Sequence, residues 1–524
     1  MEQRDYNTDG TAKGRYSQLE QAREPFLQRA REASRLTIPS LIPPEHHAHT
    51  TDYETPFQSV GSRGLNNLSA KLLLSLLPPN TPFFRLTVDD FTLAEMTQEE
   101  GMRAQVEEAL GSIERSVQTK IEQDALRVFT FEGLKHLLCA GNVLLYLPKE
   151  GGMRVFKLDT YVTKRDPKGN VLEIIVKESV TPDSLPETTR ASITDKLSYG
   201  NDSNEKTCDL FTCIKRRDDK WEVFQEVHGY IIPESIGSWP LDKSPWLALR
   251  YTRIESEDYG RGFIEEYIGD LKSLEGLTQS IVEGSAAAAK VLFLVNPNGT
   301  TDQETLAESY NGAIVDGNAD DVSVLQVEKY ADFRIAYEAI NQITERLSFA
   351  FLMNTAIQRN GDRVTAEEIR YMSQELDSAL GGMFALLSQE FQQPLVSILM
   401  SRMEQAGKLP KLPKEKVRPE IVTGLEALGR GQDLQKLQAF VQDIVAIGQV
   451  KPEALQSLNE TDLIKRLATA RGMDAKGLIK SAEQLQFEQE QAMQQQQQMQ
   501  MQQMAEKLGP ETIRQVGNAV NGQQ

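Results

Sequence analysis

The run Gly284-Ser285-Ala286-Ala287-Ala288-Ala289-Lys290 has the outline of a phosphate-binding loop, in which backbone amides cradle phosphate oxygens and a lysine reaches them. Two positions break the pattern. Ala289 stands where a glycine must precede the lysine, and its Cβ fills the space phosphate needs. Val291 follows where a serine or threonine would hold magnesium. A packed helix accounts for the same residues. His46, His47 and His49 offer three imidazoles, but in a proline-rich loop without HExxH spacing or a nearby cysteine, which reads as solvated chain. Cys208 and Cys213 lack a second ligand pair at zinc spacing, and neighbouring strand positions explain them better. His136 and His228 stand alone in the sequence, and there is no GxSxG nucleophile elbow. Gly260-Arg261-Gly262 and Gly429-Arg430-Gly431 fit turns or helix caps better than anion-binding nests. The acidic pairs Glu265-Glu266, Glu367-Glu368 and Asp320-Asp321 are chain neighbours, and helix neighbours point apart. These residues predict no active site, no metal site and no cofactor.

One polar stretch has a different character. Asn354 to Thr365 carries Gln358, Arg359, Asn360, Asp362 and Arg363 between two long helical patterns. In a single chain it is a polar loop. In a ring of copies it becomes a collar of guanidinium groups, each able to meet a phosphate in passing.

The elements that would position this loop are helical. Leu271, Leu274, Leu277, Ile281 and Ser285 form a stripe at spacings of three and four, continued by the alanine run through Ala288, and predict a slim helix over 265–290. Ile335, Ala339, Ile343, Leu347 and Phe351 predict a second over 334–353. Between them, 291–332 predicts a strand, a turn at Asn296-Pro297-Asn298-Gly299 and a hairpin around Asp316-Gly317-Asn318. After the loop, Thr365 caps a further helix, Glu368 reaches back to the Thr365 amide, and Val364 staples onto Ile369. That helix runs through Ile369, Met372, Leu376, Leu380 and Met383, with kinks expected at Gly381-Gly382 and Pro394, before Pro410 and Pro413 end it. Upstream, helices are expected over 16–36, 64–77, 93–124 and 131–140, then a strand at Val143 to Leu147 and antiparallel strands over 153–253. Downstream, two helices over 431–448 and 452–471 precede a Gln/Met-rich tail from Glu483, expected to order only against its own copies.

The chain has 524 residues, 40% apolar and 25% charged, the balance of folded rather than disordered protein. Its 57 Lys and Arg against 76 Asp and Glu leave a formal charge of −19. That excludes a basic clamp on nucleic acid but not a surface past which nucleic acid slides. Cys139, Cys208 and Cys213 make no disulfide framework, which predicts a reducing compartment. A signal peptide and a membrane span are not expected, since no apolar run approaches about 18 residues.

Several strings together are specific. They are Thr51 to Leu68 (TDYETPFQSVGSRGLNNL), Gly141 to Pro148 (GNVLLYLP), Ile264 to Tyr267 with Gly269-Asp270-Leu271, and Leu294 to Pro297. Arg363 to Tyr371 (RVTAEEIRY) and Thr423 to Asp433 (TGLEALGRGQD) complete the set. The chain resembles the portal, or head-to-tail connector, proteins of short-tailed bacteriophages of the T-seven group, in collinear order from about residue 15 to about 480.

The resemblance implies a mainly helical α+β portal fold assembled as a ring of twelve at one capsid vertex. It implies a wing over 1–263, stem helices over 264–290 and 333–353, a clip over 291–332 and a tunnel loop over 354–364. A kinked wing and crown helix would span 365–422, a crown 423–482, and a helical barrel or tail 483–524. Stem packing would fall to Leu271, Leu274, Ile281, Ala288, Ile343 and Leu347, and the DNA-facing positions to Gln358, Arg359, Asn360 and Arg363. The implied partners are double-stranded DNA, the major capsid and scaffold proteins, the terminase large subunit, tail adaptor and nozzle proteins, and internal core proteins. The protein would be made in the host cytoplasm, reside in the virion and have no catalytic role. Two other classes compete: a nuclease or NTPase using the acidic clusters, which requires metal-dependent turnover, and an internal core or scaffold-type assembly protein. A ring with a central hole separates the first reading from both.

Overall fold

The computed structural model describes residues 11–45, 47, 50, 52–79, 83–87, 102–191, 207–288, 292–325, 330–353, 376, 380, 382–409, 420–423 and 430–450, with isolated positions at 463–464, 467, 491, 493–496 and 498–499. The chain divides into two compact units. The first holds 1–88 and 113–428, the second 89–112 and 429–524.

The first unit opens with α1 (Ala12–Arg35), started by Thr11, whose Oγ1 accepts from the Gly14 amide at 3.2 Å. Next come α2 (Val60–Leu76), four residues earlier at its start than the leucine stripe alone indicates, and β1 (Phe84–Thr87). Helix α3 (Met102–Gln123) passes from the second unit into the first. Helix α4 (Leu126–Ala140) begins before the predicted 131, because Ala125 turns the chain in left-handed backbone directly after α3. Gly141, at φ +72°, ends α4. No side chain fits there, since a Cβ would lie 2.4 Å from the Arg261 carbonyl carbon.

Strand β2 (Asn142–Tyr146) follows, central to a three-stranded sheet ordered β3 (Arg154–Phe156), β2, β9 (Trp246–Arg250). A second antiparallel sheet runs in chain order through β4 (Tyr161–Arg165), β5 (Val171–Val180), β6 (Cys208–Arg217), β7 (Lys220–Val227) and β8 (Tyr230–Pro240). The continuous run Ile174-Ile175-Val176 has a physical reason. Ile174 and Val176 enter one core with Leu144, Phe156, Tyr161 and Trp246, while Ile175 enters the core on the other face with Tyr16, Leu19, Phe211 and Cys213. Both faces are covered, so the strand needs no polar side.

Buried polar groups tie α1 to this sheet. Arg23, 2% exposed, donates through NH1 to the carbonyls of Leu158 (3.2 Å), Asp159 (2.8 Å) and Tyr161 (3.1 Å) and to the Tyr16 hydroxyl (3.0 Å). His136 on α4 is 2% exposed, and its Nδ1 finds no partner among the described residues. Burial, then Lys157 and Lys135, push its pKa down to about 4. Between pH 6.5 and 4 the unfolded chain therefore binds a proton that the folded chain refuses, so stability is lost as pH falls through that window, by about 3 kcal/mol. Thermal midpoints recorded from pH 7 to pH 5 should fall, and His136→Leu should flatten that slope.

After β9 come α5 (Phe263–Glu266), α6 (Ile268–Ala288), β10 (Leu292–Val295), α7 (Gln303–Glu308), β11 (Val322–Leu325) and α8 (Tyr330–Ala350). The single helix expected over 265–290 is thus two. The break falls at Tyr267, whose ring packs 4.9 Å from Phe263 and 6.3 Å from Phe351.

The kinked helix is α9 (Met383–Leu387), a π-helical turn over Ser388–Gln392 and α10 (Gln393–Gln405), with Pro394 in the first turn of α10. The extra residue of a π-turn redirects side chains. Here Gln392, fully buried, donates to the Leu76 carbonyl at 2.7 Å at the end of α2, and Glu390 approaches Arg250 at 3.9 Å. Strand β12 (Glu420–Thr423) closes the first unit by pairing antiparallel with β1. In the second unit α11 (Arg430–Val450) exposes Phe440, Val445 and Ile447.

Candidate functional site

Helices α6 and α8 pack side by side, about 32 Å long each at 1.5 Å per residue. Leu271 and Leu274 of α6 and Ile343 and Leu347 of α8 are buried, and Arg346 NH2 donates to Asp270 Oδ1 at 2.8 Å across the pair. Ile281 is half-buried, and Ala288 is the last residue of α6. Gly284 allows a close approach: a Cβ there would sit 2.8 Å from the Phe333 ring. That contact, inside a helix, also disposes of the phosphate-loop outline at Gly284–Lys290.

One member of the expected stripe is displaced. Ile335 is 67% exposed. A helix turns 100° per residue, so each step of four advances about 40°. Four steps from Phe351 back to Ile335 rotate the stripe by about 160°, which turns Ile335 away from the face that Ile343 and Leu347 bury. Val282, Tyr337 and Phe349 are also exposed, so the pair carries apolar side chains that its own chain leaves uncovered.

At the α8 terminus, Phe351 is fully buried against Gly64 of α2, where a Cβ would stand 2.4 Å from its ring. Asn67 Nδ2 donates to the carbonyls of Phe351 (2.9 Å) and Leu352 (3.1 Å), and Lys71 Nζ to that of Leu352 (2.9 Å). These donors satisfy the carbonyls of the turn that directly follows α8. Gln358, Arg359, Asn360 and Arg363, and the cap residues Thr365 and Glu368, lie outside the described residues.

The opposite end of the pair is a β-capped tip. β10 and β11 pair antiparallel, Leu292 opposite Leu325 through Val295 opposite Val322. The turn at Asn296 forms as expected, with the Gly299 amide donating to the Asn296 carbonyl at 3.0 Å. The hairpin expected around Asp316-Gly317-Asn318 is absent. Those residues lie inside the long connection between β10 and β11, where Gly317 packs against Thr301. Asp321 locks the connection: its Oδ2 accepts from the amides of Thr300 (2.8 Å) and Thr301 (3.3 Å) and from both hydroxyls (3.3 Å). The Thr300 amide is the main reason that Asp321 lies below the usual carboxylate range.

Between the two strands, residues 296–321 hold six carboxylates and no lysine or arginine. Within them, Tyr310 is 80% exposed and Ile314 fully so. The tip is a preformed anionic platform carrying two bare apolar side chains.

Those remaining chemical candidates that fall among the described residues resolve into structure. Gly260 and Gly262 leave room for backbone, since a Cβ on Gly262 would stand 2.5 Å from the Cys139 carbonyl oxygen, and Arg261 pairs with Glu257 and Glu265. His47 stacks on Tyr53 at 4.1 Å, while His46 and His49 lie outside the described residues. Cys208 and Cys213 are free thiols on β6. Among the described residues no cluster of His, Cys, Asp or Glu is placed to hold a metal, and no helix is long and apolar enough to cross a membrane.

Sequence reasoning missed Asn67, Lys71, Tyr310, Ile314, Glu390 and Gln392. Of these, only Tyr310 and Ile314 left a local signal: isolated large apolar residues in a segment otherwise rich in Asp, Asn and Gly.

A family profile described as "Bacteriophage head to tail connecting protein" matches residues 9–479. The portal protein of Escherichia phage T7 is 42% identical over 482 residues, covering 91% of this chain and 89% of the relative. That of Enterobacteria phage T3 is 40% identical over 481 residues, with the same coverages. The neck of an empty GTA particle contains a chain matched at 10% identity and a TM-score of 0.36, over 73% of this chain and 86% of that one, a likeness too remote to carry structural detail.

Proposed function

This chain belongs to the bacteriophage head-to-tail connecting proteins, and we propose that it is a portal subunit. Copies close into a ring at one capsid vertex, and double-stranded DNA passes through that ring inward at packaging and outward at ejection. The family match over 9–479 carries the reading. The exposed apolar side chains of the α6–α8 pair support it, because lateral neighbours in a closed ring would cover them. So does the charge: twelve copies at −19 total about −228, and an acidic bore repels a polyanion rather than holding it.

In this reading α6 and α8 are the stem and the tip over 291–332 is the clip. Residues 354–364 are the tunnel loop, 1–263 form the wing, 365–422 lead into the crown, and 423–482 with 483–524 form crown and barrel. Terminase docks on the clip first, and tail adaptor and nozzle proteins replace it. Capsid, scaffold and internal core proteins meet the rest of the ring. Arg359 and Arg363 centre the duplex without gripping it, and chemical energy comes from the terminase, not from this chain.

Electron microscopy of the purified full-length chain tests the assembly: rings with a central hole are expected, and monodisperse single subunits would reject the reading. Arg359→Ala with Arg363→Ala should still give rings but alter the amount of DNA packaged or retained. Unchanged DNA content would remove those two residues from the mechanism.

A further inference from the structure

In a chain of formal charge −19, one recess has the opposite sign. It measures about 360 Å³ and lies where α1 crosses β4, β5 and β6. Among the described residues, Arg15, Lys164, Lys215, Arg216 and Arg217 line it with one carboxylate, Glu173, and with Gln18 and Leu172. Strand register builds the floor: Lys164 stands opposite Glu173, and Glu173 opposite Lys215, in one row across three strands.

Glu173 is 7% exposed. It receives Arg15 Nε on Oε2 at 3.0 Å, and Lys215 Nζ lies 3.3 Å from Oε1. Arg15 NH1 is further steadied by Gln18 Oε1 at 3.2 Å, and Lys164 is held by Asp258 at 3.0 Å. The buried carboxylate therefore orients two of the cations. Arg216 and Arg217, exposed at the end of β6, add two guanidinium groups at the rim. A recess lined mainly by cations attracts an incoming anion.

We infer that this recess binds carboxylate side chains of an acidic protein segment. Its shape selects against duplex DNA. A duplex presents its phosphates along a convex rod and is held by an extended basic face, whereas here the cations cluster about one open recess of about 360 Å³. Among the described residues no aromatic side chain lines it, so a nucleotide base finds no stacking surface there. Leu172, 38% exposed, offers a contact for the methylene groups of glutamate.

The inference does not depend on ring closure. The full-length chain, in whatever assembly it adopts, is titrated with a hexaglutamate peptide blocked at both termini and, separately, with a short DNA duplex. The peptide should bind saturably and more weakly as salt rises. Arg216→Glu with Arg217→Glu should weaken it about tenfold or more, with the thermal midpoint recorded on the same sample to separate lost binding from lost folding. Arg216→Gln with Arg217→Gln should give an intermediate loss. Peptide binding that the charge reversal leaves unchanged would overturn the inference. So would duplex binding that falls in parallel with it, since that would assign the recess to nucleic acid.

Discussion

On the proposed portal reading, rings carrying Tyr310→Asp together with Ile314→Asp are expected to assemble normally and to lose about a thousandfold in affinity for a protein that docks on the β10–β11 tip. The magnitude follows from two exposed anchors worth about 2 kcal/mol each when seated in a partner, at 1.4 kcal/mol per tenfold. Assembly should survive because both side chains project from the tip, 80% and fully exposed, with little to lose inside the chain. The six carboxylates of 296–321 give the partner's chemistry: a cationic surface with apolar sockets. They also argue against a neighbouring copy as the cover for these residues, because its tip carries the same charge. Co-sedimentation of purified rings with the terminase large subunit measures the effect. Wild-type affinity in the double variant would remove the tip from docking, while loss of rings would move Tyr310 and Ile314 into the subunit interface. Asp321→Ala should behave differently, since releasing Thr300 and Thr301 loosens the whole connection rather than one contact.

Replacing Glu390 with alanine is expected to cost about 3–5 kcal/mol. Arg250 is 1% exposed, and Arg165 is 7% exposed beside it. Arg165 is held by the carbonyls of Asp258 (3.0 Å), Gly169 (3.0 Å) and Ala248 (2.9 Å), but Arg250 has Nε and NH1 buried without a partner among the described residues. Glu390 is the carboxylate supplied from the π-turn, and burial raises its pKa although Arg165, Arg250 and Arg253 pull it down. Removing it leaves buried guanidinium charge uncompensated against the helix that must pack there. The thermal midpoint should drop by several degrees, with Glu390→Gln falling between wild type and alanine because it keeps a hydrogen-bond acceptor but no charge. An unchanged midpoint for Glu390→Ala would show that neighbouring acids such as Asp258 suffice for Arg250.

Much of the fold was readable from local pattern. The stop at Gly141 and the strand after it follow from a residue tolerant of left-handed backbone and an apolar run. The turn at Asn296 and the stripe through Leu271 and Leu274 were equally plain. What escaped was decided by residues distant in the chain. The hairpin expected at Asp316-Gly317-Asn318 failed because β10 and β11 pair across a connection that Asp321, not a tight turn, closes. The expected burial of Ile335 failed because periodicity gives a face but not the length over which another helix covers it. The π-turn at Ser388–Gln392 has no propensity signature; it exists where Gln392 reaches Leu76 and Glu390 reaches Arg250.

The amino-acid sequence by itself determined the family, the helical and strand periods, the turn chemistry and the surplus of negative charge, because each is a property of neighbouring residues or of composition. Tertiary structure alone decided which apolar residues are covered, which buried ions share a site, and how five cations come to line one recess with Glu173. Those outcomes depend on pairs such as Arg15 with Glu173 and Arg250 with Glu390, which only the folded backbone brings within a few ångströms of each other.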